Sequence, residues 1–273
     1  MSDQGETTIG TVARSIEMLR YFAEHNDTSI KSLSENLGLA PSTCHRLLDL
    51  LMREGIVEQD KATRRYRIGP EFFRIAFLVH SHSNVRDIAR PHLQRIVERC
   101  DETAVLCLYI RATRKLIFAE RVDSSHLLRY QLPMNVPMSV LWGASGRSVL
   151  AFLPEEEVEA IYASEGAAPA SGDPLPDLAT LKASLSEIRR RGYATSSGEK
   201  IAGAVGVNAP LFGADGKVIG SIGVTVPATR ISPEEAVGLA PMICQVAVEL
   251  SLSLGARRSV LEAQCPALFP ELT

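Results

Sequence analysis

The feature that most constrains the fold is a pair of short helical segments that meet at a glycine and are followed at once by a basic hairpin. Ser29 is a typical N-cap for the first segment, and Gly38 can end it in the left-handed conformation. Pro41 suits the first turn of the second segment, because its missing N–H has no helical partner there. Gly55 closes the second segment. The chain therefore turns sharply between two helices.

The second helical segment is predicted to have one face that packs and one that is free to bind. Four apolar residues recur at positions i, i+3, i+4 and i+7, namely Cys44, Leu47, Leu48 and Leu51. The opposite side is polar and carries Ser42, His45, Arg46, Asp49 and Arg53. A polar face is most often plain solvated surface, so its role depends on what lies beside it.

A basic hairpin is predicted beside that face. Residues 56–59 and 65–68 are short runs that flank a polar turn at residues 60–63. An amphipathic helix at residues 12–23 precedes the pair, so the order is helix, helix, helix, hairpin, which is a winged helix-turn-helix. Residues 61–67 hold four basic residues and no acidic one: Lys61, Arg64, Arg65 and Arg67. Because the net charge of the chain is only -3, DNA contact has to come from such a local concentration.

The chain is long enough for two domains. Its 273 residues exceed the usual size of one core, and 45% hydrophobic with 22% charged residues is a globular composition. Strands are predicted at 103–110, 115–122, 205–212 and 217–226, with helices between them. We predict an α+β protein with a winged helix-turn-helix domain at 9–69, an apolar linker helix at 70–83, an effector-binding and oligomerisation domain at 84–258, and a tail at 259–273.

The sequence favours a cytoplasmic protein that has no membrane partner. No segment comes near the roughly 20 apolar residues of a membrane span, and the first residues, MSDQGETT, lack the features of a signal peptide. The five cysteines are odd in number and scattered, without any C-x-x-C pair. We therefore expect reduced, mostly buried thiols rather than a disulfide framework or a zinc ribbon.

Several segments resemble the IclR family of transcription regulators in order and spacing, from about residue 10 to residue 255. They are GLAPSTCHRLLDLLMREGIVEQD, YRIG, ARPHLQRIVERCDETAVLCLYI, GASGRSVLAFLP, RRRGYAT and GKVIGSIGVTVPATRI. The resemblance implies a regulator, repressor or activator, of catabolic genes. It also implies a GAF- or PAS-like C-terminal domain with a curved antiparallel sheet around an effector pocket, and assembly as a homodimer or homotetramer.

The DNA contacts are predicted on the second helix and on the hairpin. The helix would enter the major groove and present Ser42, Thr43, His45 and Arg46 to base edges or phosphates. The hairpin would contact phosphates or the minor groove through Lys61, Arg64, Arg65 and Arg67. One such helix reads only a few base pairs, so the expected partner is a double-stranded, pseudo-palindromic operator bound by two copies.

An effector site is predicted around residues 142–148, WGASGRS. This small-residue turn enters an apolar helix, where free backbone N–H groups could hold a carboxylate without any basic side chain. The resemblance places effector contacts on Ala144, Ser145, Ser196, Gly206, Gly223 and Thr225, with Trp142 as a wall. It implies a small carboxylic acid, aromatic acids included. For Gly206 and Gly223, a packing role in the sheet is an equal alternative.

Two other classes of protein were weighed against this interpretation. An enzyme is disfavoured because Ser145 lacks the G-x-S-x-G spacing and GADGKV lacks the P-loop spacing, so no catalytic residue and no cofactor are predicted. His80, His82 and His92 could in principle gather around a metal, but no carboxylate spacing completes a site, and none is predicted. The second alternative is a ligand-independent DNA-binding protein whose C-terminal domain only oligomerises.

Overall fold

The computed structural model describes residues 10–25, 27–82 and 85–269, with the backbone alone for residues 77–82. The chain forms two compact units that divide after residue 83. Each unit has its own hydrophobic core.

The first unit is a winged helix-turn-helix, as predicted. Its elements in chain order are α1 Thr11–Glu24, α2 Ile30–Leu37, α3 Pro41–Arg53, β1 Val57–Gln59, β2 Tyr66–Ile68 and α4 Pro70–His82. The Ser29 hydroxyl caps α2 by accepting from the backbone N–H of Ser32, and Gly38 ends it with φ at 62°. The strands form an antiparallel hairpin in which Glu58 lies opposite Arg67. Local capping chemistry therefore positions α3 directly after α2.

The second unit is built on an antiparallel sheet of five strands. Its elements are α5 Val85–Cys100, β3 Thr103–Ile110, β4 Lys115–Val122, α6 Gly143–Leu150, α7 Glu155–Ala163, α8 Leu178–Arg191, β5 Ala194–Ser197, β6 Ala204–Phe212, β7 Val218–Pro227, α9 Pro233–Ala236, α10 Ala240–Ser253 and α11 Arg258–Gln264. The strand order is β4-β3-β7-β6-β5, and every neighbouring pair is antiparallel. The α+β class and the antiparallel sheet are confirmed, and β5 is a strand that periodicity did not predict.

Helices α5 and α10 pack on each other and on the sheet, while α6 lies across strands β5, β6 and β7. A strand presents alternate residues to opposite faces, so the face under α6 carries every second residue of β6, including Gly206 and Asn208. Direct contacts fix this placement: the Ser196 hydroxyl accepts from the Ala144 N–H, and the Ser221 hydroxyl donates to the Ser145 carbonyl oxygen. The start of α6 therefore sits over the centre of the sheet.

Two features of the C-terminal end bear on the predictions. Over the described part of the predicted tail, α11 places Leu261 and the following Cys265 in the core of the second unit with no exposed surface. The segment Pro233–Ser253 does reach the length and mean hydropathy, 1.5, of a membrane span. Half of that stretch is buried inside the unit, and the core helix of a soluble protein has the same properties, so it is weak evidence for a span.

Candidate DNA interface and effector site

Helix α3 presents the polar face that its periodicity predicts. Ser42, His45 and Arg46 are exposed, and Thr43 is half-buried. The apolar side is anchored by Cys44, Leu47 and Leu48, which have no exposed surface. Burial of these side chains fixes the rotation of α3, so the start of its polar face points to solvent.

The tip of the hairpin is shaped by one carboxylate. Asp60 Oδ1 accepts hydrogen bonds from the backbone N–H groups of Thr63 at 2.7 Å and Ala62 at 2.9 Å. These bonds, that to Thr63 first, lower the pKa of the Asp60 carboxyl. The turn ends with Arg64 in the left-handed conformation, φ 58°. Lys61 and Arg64 are thereby held on an exposed turn.

The structure divides the four hairpin cations into two kinds. Arg65 Nε lies 2.8 Å from Asp27 Oδ1, and Arg67 Nε lies 2.6 Å from Glu58 Oε1, so both are engaged within the unit. Among the described residues, neither Lys61 nor Arg64 forms an ion pair. The sequence alone does not distinguish these four cations. Asp27 is far from Arg65 in sequence, and only the fold brings the two side chains together.

In the second unit, five of the predicted effector residues line one cavity. Ser196, Gly206 and Thr225 lie in one row across strands β5, β6 and β7. Ala144 and Ser145 face this row from the start of α6. The full lining is Phe118, Gly143, Ala144, Ser145, Ser196, Glu199, Lys200, Ile201, Ala204, Gly206, Asn208 and Thr225. The volume is about 30 Å³, which is room for about two water molecules.

Trp142 and Gly223 do not line this cavity. The indole N–H of Trp142 donates to the Gly166 carbonyl oxygen at 3.1 Å, which ties the start of α6 to a surface loop. Gly223 pairs with Asn208, and a Cβ on Gly223 would lie 2.0 Å from the Val207 carbonyl oxygen and 2.7 Å from Asn208 Cγ. Gly223 therefore fills a packing role in the sheet, the alternative that the sequence left open.

Two backbone N–H groups at the start of α6, those of Gly143 and Ala144, are already bonded, and a basic side chain lies beside them, which differs from the expectation of a site made of free donors alone. The Gly143 N–H donates to Glu199 Oε2 at 3.1 Å, and the Ala144 N–H donates to Ser196 Oγ at 2.8 Å. Glu199 also forms an ion pair with Arg147 at 3.0 Å. A carboxylate of the chain itself thus occupies the positive end of the helix dipole.

Lys200 is a basic residue in the cavity that the sequence analysis missed. Its Nζ donates to Ser145 Oγ at 3.2 Å. Gly143 leaves room for it, since a Cβ there would lie 3.1 Å from the Lys200 Cβ. Desolvation of the ammonium group lowers the pKa of Lys200 to about 8. Within the part of the chain that the structure describes, Lys200 forms no ion pair, because Glu165 is engaged by Lys115 and Glu199 by Arg147.

Asn208 is a second missed residue. It is 2% exposed, and its Nδ2 has no hydrogen-bond partner among the described residues. A signal was present, since Asn208 is a lone amide in the otherwise apolar strand sequence AVGVNAPLF. Glu199 and Lys200 gave a weaker signal, because an acidic and a basic residue in a turn usually lie at the surface.

Nothing in the structure points to a metal site. No group of three His, Cys, Asp or Glu side chains is arranged to hold an ion within the residues described. The side chains of His80 and His82 lie outside the described part. The pKa of His92 is lowered, chiefly by desolvation and then by Arg95.

Comparison with known proteins identifies both units. The family model for the IclR helix-turn-helix domain matches residues 11–61, and that for the bacterial transcriptional regulator IclR C-terminal domain matches residues 77–252. The transcriptional repressor IclR of Escherichia coli is 25% identical over 92% of this chain and 92% of its own. A probable regulator, ArcR, of Halobacterium salinarum is 26% identical over 89% and 92%.

Solved structures agree with these matches. The crystal structure of an IclR-type transcriptional regulator from a Silicibacter species is 27% identical and covers 96% of this chain and 100% of that chain, with a TM-score of 0.71. An IclR homologue from Microbacterium hydrocarbonoxydans, complexed with 4-hydroxybenzoate, is 22% identical and covers 90% and 99%, with a TM-score of 0.54. The second likeness shows the shared fold.

The desolvated Lys200 predicts a pH-dependent stability. In the folded chain Lys200 loses its proton near pH 8, whereas in the unfolded chain it keeps the proton to about 10.5. Raising the pH through this window therefore favours the folded state. We expect Lys200→Met to raise the free energy of unfolding by about 1–3 kcal/mol at pH 7 and by progressively less up to pH 10. Denaturant unfolding at four pH values measures this difference.

The matched control is Lys217→Met, because Lys217 is exposed and lies 3.6 Å from Asp215 at the surface. It should change the free energy of unfolding by less than about 0.5 kcal/mol at every pH. A stability difference between Lys200→Met and the wild type that stays constant from pH 7 to pH 10 would show that Lys200 is not desolvated.

Proposed function

We propose that this chain, which belongs to the IclR family of transcriptional regulators, binds a pseudo-palindromic operator as a homo-oligomer and changes its operator affinity when a small carboxylic acid binds. Relatives such as the transcriptional repressor IclR of Escherichia coli are regulators and not enzymes. We place its action in the cytoplasm, where such proteins meet DNA. The observation that carries the proposal is the cavity under α6, where predicted effector residues surround an ammonium group that has no ion pair within the described part of the chain.

The DNA-reading role is assigned to the exposed start of α3. Arg46 has the geometry to pair with the two acceptors on a guanine edge, while Ser42 and Thr43 suit phosphates or a thymine methyl group. The hairpin would add phosphate contacts beside the same groove. Two copies are required because a single helix reads too few base pairs for a specific site.

The effector role is assigned to the second unit. Ser145, Ser196 and Thr225 offer hydroxyl groups on the cavity wall, and Lys200 offers a positive charge. A carboxylate is the complement of this set, since charge-assisted hydrogen bonds are the strongest that such a wall can form. The 4-hydroxybenzoate held by the Microbacterium homologue is an acid of this class. Whether binding represses or activates depends on which conformation the acid prefers.

A ligand-independent regulator is the second candidate. It would explain the second unit as a means of oligomerisation alone. The cavity weighs against it, because Lys200 is half-buried and desolvated and has no ion pair among the described residues, a state that is costly unless a ligand supplies the charge.

The experiment that tests the proposal measures binding of the purified protein to DNA from the promoter region beside its own gene, at fixed physiological salt. A panel of small organic acids is added in turn. We expect saturable, sequence-specific binding that one class of acid alters at least tenfold, a coupling typical of allosteric regulators. Specific binding that no acid alters would favour the ligand-independent alternative, and equal binding to random DNA would contradict the operator proposal.

A double change on the hairpin tests the phosphate contacts. Lys61→Gln with Arg64→Gln should weaken binding to operator and random DNA alike, because each lost phosphate contact removes about 0.9 from the slope of log affinity against log salt. The slope should therefore flatten by about 2. Arg67→Gln is the control, since Arg67 is paired with Glu58. Equal slopes for the double variant and the wild type would remove the hairpin tip from the interface.

A single change on α3 tests base reading. Arg46→Ala should lower operator affinity by about 10- to 100-fold, the cost of one bidentate base contact, with a much smaller effect on random DNA. Arg53→Ala, at the far end of the same helix and also exposed, is the control and should have a smaller effect. A uniform loss on both DNAs would assign Arg46 to the phosphate backbone.

A further inference from the structure

We infer that Asn208 and Lys200 act together to select the effector, an acid that carries a second oxygen able to accept a hydrogen bond. The Lys200 ammonium group would bind the carboxylate, and the Asn208 amide would donate to the second oxygen. The inference rests on the effector role proposed above and defines the class of acid more narrowly.

The Asn208 amide is the first support. Its Nδ2 lacks a partner although the residue is 98% buried and lines the cavity. A buried donor left unsatisfied costs about 1–3 kcal/mol, so a residue that only packed here would be better as leucine. The amide therefore stands where, among the groups that the structure describes, it has no partner and can be used only by water or by a ligand in the cavity.

The charge balance of the cavity is the second support. Arg147 neutralises Glu199, whose carboxylate also accepts from the Gly143 N–H. Lys200 is left with one neutral partner, the Ser145 hydroxyl. One additional negative charge would balance the site, and a monocarboxylate supplies it. Lys200 and Asn208 approach the same small cavity from the turn after β5 and from β6, so one compact molecule can reach both.

The small volume of the cavity bears on how an acid would bind in it. The cavity, with a volume of about 30 Å³, has room for about two water molecules, so an acid that binds here has to displace this water. Lys200 and Glu199 belong to the turn between β5 and β6, which is also held by the bond from the Ala170 N–H to the Glu199 carbonyl oxygen. A larger acid would also move this turn, and its carboxylate would replace water beside Lys200 while Glu199 stays paired with Arg147.

The test uses matched pairs of acids that differ by one oxygen: lactate and propionate, 2-oxobutyrate and butyrate, and 4-hydroxybenzoate and benzoate. Isothermal titration of the full chain measures each affinity. We expect at least one oxygenated acid to bind about tenfold more tightly than its match, the fold-change that one hydrogen bond of about 1.4 kcal/mol gives. Asn208→Leu should bring that ratio close to one, and Lys200→Met should weaken both members of the pair equally.

The control is Gln264→Leu, the same exchange of an amide for an isobutyl group at a residue that bonds to the Gly216 carbonyl oxygen away from the cavity. It should keep the wild-type ratio. Asn208→Leu should also melt no lower than the wild type, which separates a binding role from a structural one. If Asn208→Leu does not fold, Asn208→Ala, which adds no bulk, gives the same ratio test.

The outcomes distinguish this inference from the proposed function. Two results would overturn the inference and leave the proposed function standing. In the first, acids bind and alter operator affinity, but the acid with the second oxygen binds no more tightly than its match. In the second, the affinity ratio of a matched pair is the same in the Asn208 variant as in the wild type. Unchanged acid affinity in Lys200→Met would equally overturn it. If no acid binds the wild-type chain while operator binding is intact, the effector role fails and the inference fails with it.

Discussion

The second unit depends on the close attachment of the start of α6 to the sheet. The Ala144 N–H donates to the side chain of Ser196, which lies in β5. The Gly143 N–H donates to the side chain of Glu199, which lies in the turn after β5. Gly206 permits this approach, because a Cβ there would lie 3.3 Å from both the Ala144 Cβ and Ser196 Oγ. The same contact that holds the helix on the sheet therefore forms the walls of the cavity. A ligand that binds in this cavity therefore contacts both the helix and the sheet.

That coupling gives a physical route from ligand to fold. The Glu199 carboxylate lies where an external carboxylate would be most stable, at a helix N-terminus beside Arg147. An acid that takes over part of this role must displace or rearrange the turn that carries Glu199. The bound and free states then differ in backbone position, and a ligand can shift an equilibrium only between states that it binds differently. The Glu199 carboxylate at the site thus gives a physical reason why binding of an acid could change the conformation of this unit.

The local features of both units could be predicted from sequence, because short-range chemistry decides them. The Ser29 cap, the Gly38 turn and the four long strands are as predicted. Strand β5 could not be predicted, since four residues carry too little periodicity and pairing with β6 defines them. Lys200 and Asn208 were missed for a similar reason. The burial of these two side chains, and the groups around them, depend on residues that are distant in sequence.

Both candidate sites follow one electrostatic rule. In the hairpin, Arg65 and Arg67 are paired with Asp27 and Glu58, while Lys61 and Arg64 have no ion pair among the residues described. In the cavity, Arg147 is paired with Glu199, and Lys200 is left without a carboxylate in the described chain. Paired cations hold the local geometry, and unpaired ones retain charge for a ligand. An unpaired charge costs less free energy at the surface than in the interior. The exposed hairpin cations can therefore bind backbone phosphates of DNA of any sequence. Lys200 is desolvated, so its charge is stabilised most by a single ligand that fits the cavity.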